Sequence, residues 1–177
     1  MAINTIETER VLLRPFSPDD LDAFALICAD PEVMRYIGDG QPLSQAQTQT
    51  RLAAIIEHRN RHGFGVWAAV DRKIGDLMGY CGLQFLDNTP EVEIGYRLAR
   101  RFWGMGLASE AARASLEFGF GQLELDRIAA VVQPGNLASR RVVEKIGLKF
   151  VKEARFYNSG VRYYAITREE YQRNETT

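Results

Sequence analysis

Apolar and polar positions change period several times along the chain, and the changes mark out its elements. Residues 10–16 alternate as a strand does, up to Pro15, beyond which a ladder is hard to continue. Ser17, Pro18, Asp19 and Asp20 read as a helix start: a serine cap, a proline in the first turn, and acids at the positive end of the helix dipole. That helix runs to Ala29 with Leu21, Phe24, Ala25 and Cys28 on one face, and Asp30-Pro31 restarts a short one through Tyr36. Ser44 caps a long helix reaching His62, in which Leu52, Ile55 and Ile56 form only a thin apolar stripe.

Beyond Gly63 the period becomes that of strands. Residues 64–70 and 77–86 read as a hairpin, and residues 91–98 as a third antiparallel strand. A helix follows over residues 107–121, then a β-branched strand over 127–132. A further helix starts at Asn136 or Ala138 and ends at Gly147. Residues 149–155 and 162–167 are the last two strands, around a turn at 157–160. With no repeat and no linker, residues 1–177 form one domain of mixed α/β (α+β) class. Its central, mostly antiparallel twisted sheet has about seven strands, flanked by helices.

Composition narrows the function more than the fold. A length of 177 residues, 46% hydrophobic and 25% charged, fits a soluble globular domain with a sizeable core. A net charge of −1 leaves no electrostatic footprint for nucleic acid or an acidic membrane. No apolar run is long enough to span a bilayer and the N-terminus lacks a leader pattern, so a cytoplasmic location is expected. Cys28 and Cys81 lack CxxC spacing, and His58 and His62 lack the HExxH order, so no metal is expected.

Candidate chemistry concentrates in residues 91–110, EVEIGYRLARRFWGMGLASE. A strand that enters a helix through Gly104 and Gly106 presents several backbone N–H groups at the positive end of a dipole, which suits an anion. Two rival readings of the loop fail. A dinucleotide fingerprint lacks its third glycine, since Ser109 stands there, and a Walker A loop lacks its Gly-Lys-Ser/Thr. On these residues alone, a plain connection that uses glycine for its positive φ remains as good an account.

With these elements placed, the chain resembles the GCN5-related N-acetyltransferase (GNAT) superfamily, in its branch that acetylates ribosomal-protein N-termini. The resemblance rests on Thr8 to Phe16 followed by Asp19-Asp20, on Glu93-Ile94-Gly95-Tyr96, and on Arg101-x-x-Gly104-x-Gly106-Leu107-Ala108. Asn136, Ser139, Val142, Glu144-Lys145 and Gly147 complete it. Leu148 departs from the aromatic residue usual after the last glycine, a packing change expected to be tolerated.

The resemblance implies a sheet splayed between its fourth and fifth strands, and an acetyl-CoA-dependent transfer to a primary amine. It implies that N–H groups of Met105, Gly106, Leu107 and Ala108 hold the pyrophosphate, with Gly104 allowing close approach and Arg101 screening charge. The edge of Ile94, Gly95 and Tyr96 would hold the pantetheine arm and face the thioester carbonyl. Asn136 would contact the arm, and Ser139 would lie near the sulfur as proton donor, although a helix cap explains Asn136 equally well. Glu93 is the candidate base, but if alternation holds, Glu91 and Gly95 share its face. Tyr157, Tyr163 and Tyr164 would border the acceptor pocket or simply pack in the core.

Expected partners are acetyl-CoA and an amine acceptor, with no nucleic acid and no membrane; a homodimer is compatible with the chain. The leading acceptor is a protein N-terminal α-amine, because neutralising it at pH 7 costs about 1.4 kcal/mol, against roughly 4.6 for a lysine-like amine. A small amine (polyamine, amino acid or antibiotic) is the rival acceptor, and a non-catalytic CoA-binding module the rival from another class.

Overall fold

The computed structural model describes residues 5–176, so Thr177 and the first four residues of the stretch read for a leader lie outside it. Among the described residues, eight strands form one sheet in the order β1-β2-β3-β4-β5-β6-β8-β7. They are β1 (Ile6–Glu7), β2 (Val11–Arg14), β3 (Val66–Asp71), β4 (Leu77–Phe85), β5 (Val92–Leu98), β6 (Arg127–Val132), β7 (Lys149–Phe156) and β8 (Ser159–Thr167). The helices are α1 (Leu21–Cys28), α2 (Pro31–Met34), α3 (Gln45–His62), α4 (Leu107–Gly121), α5 (Leu137–Lys145) and α6 (Arg168–Glu175). Among the described residues, no helix is long and apolar enough to cross a membrane.

Every pairing in the sheet is antiparallel except that of β5 with β6. That ladder consists of a single matched pair, Glu93 with Ala129, whereas β4 pairs with β5 from Phe85↔Val92 to Gly79↔Leu98. Beyond Glu93 the two central strands part, leaving one edge of β5 without a ladder partner. This is the splay expected between the fourth and fifth strands, renumbered because the two-residue β1 precedes the strand predicted first.

The sheet is covered on both faces. α4 fills one, burying Leu107, Ala111, Ala112, Leu116 and Phe118 against Trp67, Met78, Leu83 and Ile94. α1, α2 and α3 fill the other through Phe24, Ile27, Val33, Leu52 and Ile55. Leu148 is buried in the α4-side core, so the departure from an aromatic there is absorbed by packing. Cys28 and Cys81 are buried and unbridged, and burial pushes the Cys81 thiol up to about 12.

Several boundaries differ from the sequence reading, three of them with consequences. The last hairpin turns on two residues, Tyr157 and Asn158 (φ 52° and 57°), rather than over 157–160; two successive left-handed residues match the twist of the flanking strands. Glu91 precedes β5 instead of lying in it, so strand alternation does not govern it. The sequence reading also lacks α6, although Thr167 caps it and Glu170 closes a capping box.

Candidate active site

The loop before α4 takes its shape from its glycines. Gly104 and Gly106 sit at φ 73° and 77°, and Gly106 is the N-cap of a 15-residue helix whose first amides have no intrahelical acceptor. A Cβ built at Gly104 would meet nothing within 4 Å, so its glycine answers to conformation and to open space over the loop. That room, at the positive end of α4, fits a pyrophosphate.

Arg10, in the bend between β1 and β2, pins this loop. Arg10 donates from Nη1 to the Met105 carbonyl (2.8 Å) and from Nε to Glu110 (2.7 Å). Glu110 also accepts from Thr8 Oγ1 and the Arg10 backbone N–H. Partial burial works against the Glu110 charge, but these donors hold its carboxyl below the usual range. Arg101, expected to screen phosphate, pairs with the exposed Asp76 at 2.8 Å, its guanidinium 4.7 Å from the Phe102 ring centroid. Arg10 has no part in the sequence reading of this loop, because its partners lie about a hundred residues away in the chain.

Along β5, Ile94, Tyr96 and Leu98 face the α4 side, while Glu93 and Arg97 face α1 and α3. On the α4 side, the Tyr96 hydroxyl donates to the Ser139 carbonyl (3.0 Å) and lies 2.9 Å from Ser139 Oγ. Burial raises the Tyr96 pKa, so this phenol stays protonated. Asn136 caps α5 by accepting from the Ser139 N–H (3.1 Å), the role its position at a helix start predicts. Ser139 is thus fixed through its own backbone on one side and Tyr96 on the other.

On the opposite side stands Glu93, 4% exposed, at the last residue before the strands part. Its Oε1 accepts from Gln84 Nε2 (3.0 Å) and from the Tyr157 hydroxyl. Burial raises its pKa above the ordinary carboxylate range; the bonds from Tyr157 and Gln84 and the charge of Arg51 pull it down, and Asp87 opposes them. Glu91 accepts from the Tyr163 hydroxyl, and Arg127 and Lys152 lie 5.7 and 5.4 Å from that ring centroid. Tyr164, also expected near the acceptor, is fully buried in the core. His58 and His62 stack with Phe64 and Phe85, and among the described residues no His/Cys/Asp/Glu group could hold a metal.

Two faces of one strand therefore carry a buried hydroxyl pair, Tyr96 with Ser139, and a buried carboxylate, Glu93, beside the point where β5 and β6 part. Residues 10–149 match the family described as acetyltransferase (GNAT) domain. The chain belongs to this family. The GNAT family uses acetyl-CoA, and the chain is an N-acetyltransferase by this membership. It is similar to the uncharacterized protein YkkB of Bacillus subtilis, 40% identical over 89% of this chain and 92% of that one. The uncharacterized N-acetyltransferase p20 of Bacillus licheniformis is 31% identical over 85% of this chain and 84% of its own length. Among solved structures, a GNAT-family acetyltransferase from Bacillus anthracis superposes with a TM-score of 0.81 at 29% identity, covering 93% of this chain and 99% of that one.

Proposed function

We propose that residues 1–177 act as one catalytic domain that acetylates the α-amino group of a polypeptide N-terminus, by direct attack within a ternary complex with acetyl-CoA. The observation that carries this reading is the placement of Glu93, buried beside the opening of the sheet and across β5 from Ser139. Acetyl-CoA supplies a thioester-activated acetyl group and a thiol leaving group whose pKa near 8.5 makes its departure cost about 2 kcal/mol at neutral pH.

The chain's own residues do the rest. The N–H groups of Met105 to Ala108 bind phosphate at the start of α4, with Gly104 and Gly106 giving the backbone access. The open edge of Ile94, Gly95 and Tyr96 aligns the pantetheine arm as an added strand, and Asn136 borders it. Glu93 takes the proton that the amine gives up, directly or through a water, and releases it to solvent, while Ser139 Oγ–H gives a proton to the departing sulfur and is reprotonated from solvent. Its raised pKa brings Glu93 closer to that of the amine it serves, which favours proton transfer in the transition state.

An α-amine also fits the charge around Glu93. Arg51 lies near its carboxylate, Arg127 and Lys152 flank Tyr163, and Glu91 and Asp87 are already hydrogen-bonded to tyrosines. A polycation would meet these bases without a set of open acids to match it, whereas a single ammonium needs only Glu93.

The test is thiol release from acetyl-CoA with a set of short peptides bearing free N-termini, set beside spermidine and free amino acids. The expected result is at least tenfold higher kcat/KM for peptides. A preference for spermidine or an amino acid overturns the acceptor while leaving the acetyltransferase assignment in place.

A further inference from the structure

The turn of the last hairpin reaches into the site described above. Tyr157 adopts φ 52°, a left-handed conformation that residues with a side chain rarely adopt. Facing it is Asp87, itself at φ 49°, in the turn between β4 and β5. The two residues clasp each other: Tyr157 N–H donates to Asp87 Oδ2 and Asp87 N–H donates to the Tyr157 hydroxyl oxygen, both at 2.9 Å.

This clasp decides where the phenol proton goes. The hydroxyl oxygen already accepts from Asp87, and the O–H is directed to Glu93 Oε1. Gln84 Nε2 donates to that same oxygen. Oε2 receives no donor among the described residues, although the carboxylate is otherwise buried. We infer that Tyr157, anchored by Asp87, is the positioning residue for Glu93, occupying Oε1 and leaving Oε2 as the atom that meets the acceptor amine or its water. This rests on the reading of Glu93 as the base.

The charged and titratable groups around Glu93 are Arg51 from α3, Asp87 from the β4–β5 turn and Tyr157 from the β7–β8 turn; Gln84 of β4 is its neutral partner, and β6 presents Ala129. Burial favours the protonated acid, and Asp87 adds to that. Tyr157, Gln84 and Arg51 favour the carboxylate. Removing the phenol O–H therefore takes away support for the charged form, and the Glu93 midpoint moves up. A tyrosine that merely clips the hairpin to its neighbouring turn predicts no such movement.

The experiment follows the side-chain carboxyl carbon of Glu93 by 13C NMR across pH, with the resonance assigned by its loss in Glu93→Gln. Tyr157→Phe keeps the ring and its backbone bond to Asp87 and is expected to raise the midpoint by about one pH unit, a tenfold change in proton affinity. Tyr163→Phe removes an equivalent hydroxyl from Glu91 and is expected to leave the Glu93 midpoint in place. With an N-terminal peptide as acceptor, Tyr157→Phe is expected to shift the acid limb of kcat/KM upward in step, with the KM for acetyl-CoA unchanged.

A midpoint that stays put in folded Tyr157→Phe overturns this inference alone. Wild-type turnover by Glu93→Gln overturns the base assignment, and the positioning role falls with it. The two failures appear in different variants.

Discussion

The two sides of β5 are built by different means. On the α4 side, the backbone is shaped by nearby sequence, with Gly104 and Gly106 opening the helix and Asn136 capping the turn that carries Ser139, and distant side chains, Arg10 and Tyr96, only brace it. On the α3 side, Glu93 is held by Gln84 across a strand pair and by Tyr157, 64 residues away, itself fastened to Asp87 at a separation of 70. On the function proposed above, the face shaped by local backbone signals is the one that would hold the cofactor part common to the whole family. A face assembled from distant side chains can change its acceptor without disturbing that binding. The contrast predicts that variants on one side alter cofactor affinity, while those on the other alter turnover.

The largest expected effect breaks the α3 side alone. Glu93→Gln is expected to lower kcat by roughly 10²- to 10³-fold, as loss of one proton-transfer group does, with acetyl-CoA affinity within about twofold by calorimetry. A matching loss of affinity would merge the two faces. With Glu93 as the proposed base, its upward shift by burial predicts that turnover falls on acidification at a higher pH than for an ordinary glutamate, as read from a kcat/KM–pH profile.

Next in size is Gly106→Val, with Gly104→Val beside it. Each forces a β-branched residue into left-handed backbone at a cost of about 1–3 kcal/mol and puts a side chain where phosphate approaches. Acetyl-CoA Kd is expected to rise by about 10- to 100-fold, with weaker effects on saturated turnover. Unchanged affinity in folded variants would remove the loop from the site. Ser139→Ala is expected to lower kcat about tenfold, up to a hundredfold where protonation of the sulfur limits the rate; saturating acetyl-CoA should not restore it.

The smallest effect concerns stability. Burial raises the folded pKa of Glu93 above its unfolded value, so the fold favours the protonated acid. That contribution is present below the unfolded pKa and lost as pH rises through the folded one. At pH 8 the ionised side chain is a liability. Glu93→Gln is therefore expected to raise Tm by about 2 °C there and by less at pH 4, as read by calorimetry.

The same contrast explains what could be read from the sequence. Strand and helix order, the glycine loop and the cap at Asn136 are local patterns, and they stand in the structure close to where the sequence puts them. The Thr167-to-Glu170 box that starts α6 was also present in the sequence as a local signal, but α6 has no buried residue and so leaves no apolar stripe to draw attention to it. The Arg101–Asp76 pair is also invisible in the motif, because the partner of a long flexible side chain is chosen by which acid lies near it in space. The Asp87–Tyr157–Glu93 chain and the Arg10 tie had no local signature, since each joins segments 64 to 100 residues apart.

The Arg10 tie has a thermodynamic consequence. The loop is braced by Arg10 from the bend before β2, so its hydrogen bonds join segments 95 and 100 residues apart in the chain. A ligand on that loop then recognises the fully folded chain and not an isolated helix end, so its binding free energy is linked to global unfolding. Ligand at a hundredfold excess over Kd adds about 2.7 kcal/mol to the stability of the whole sheet, including strands it never touches.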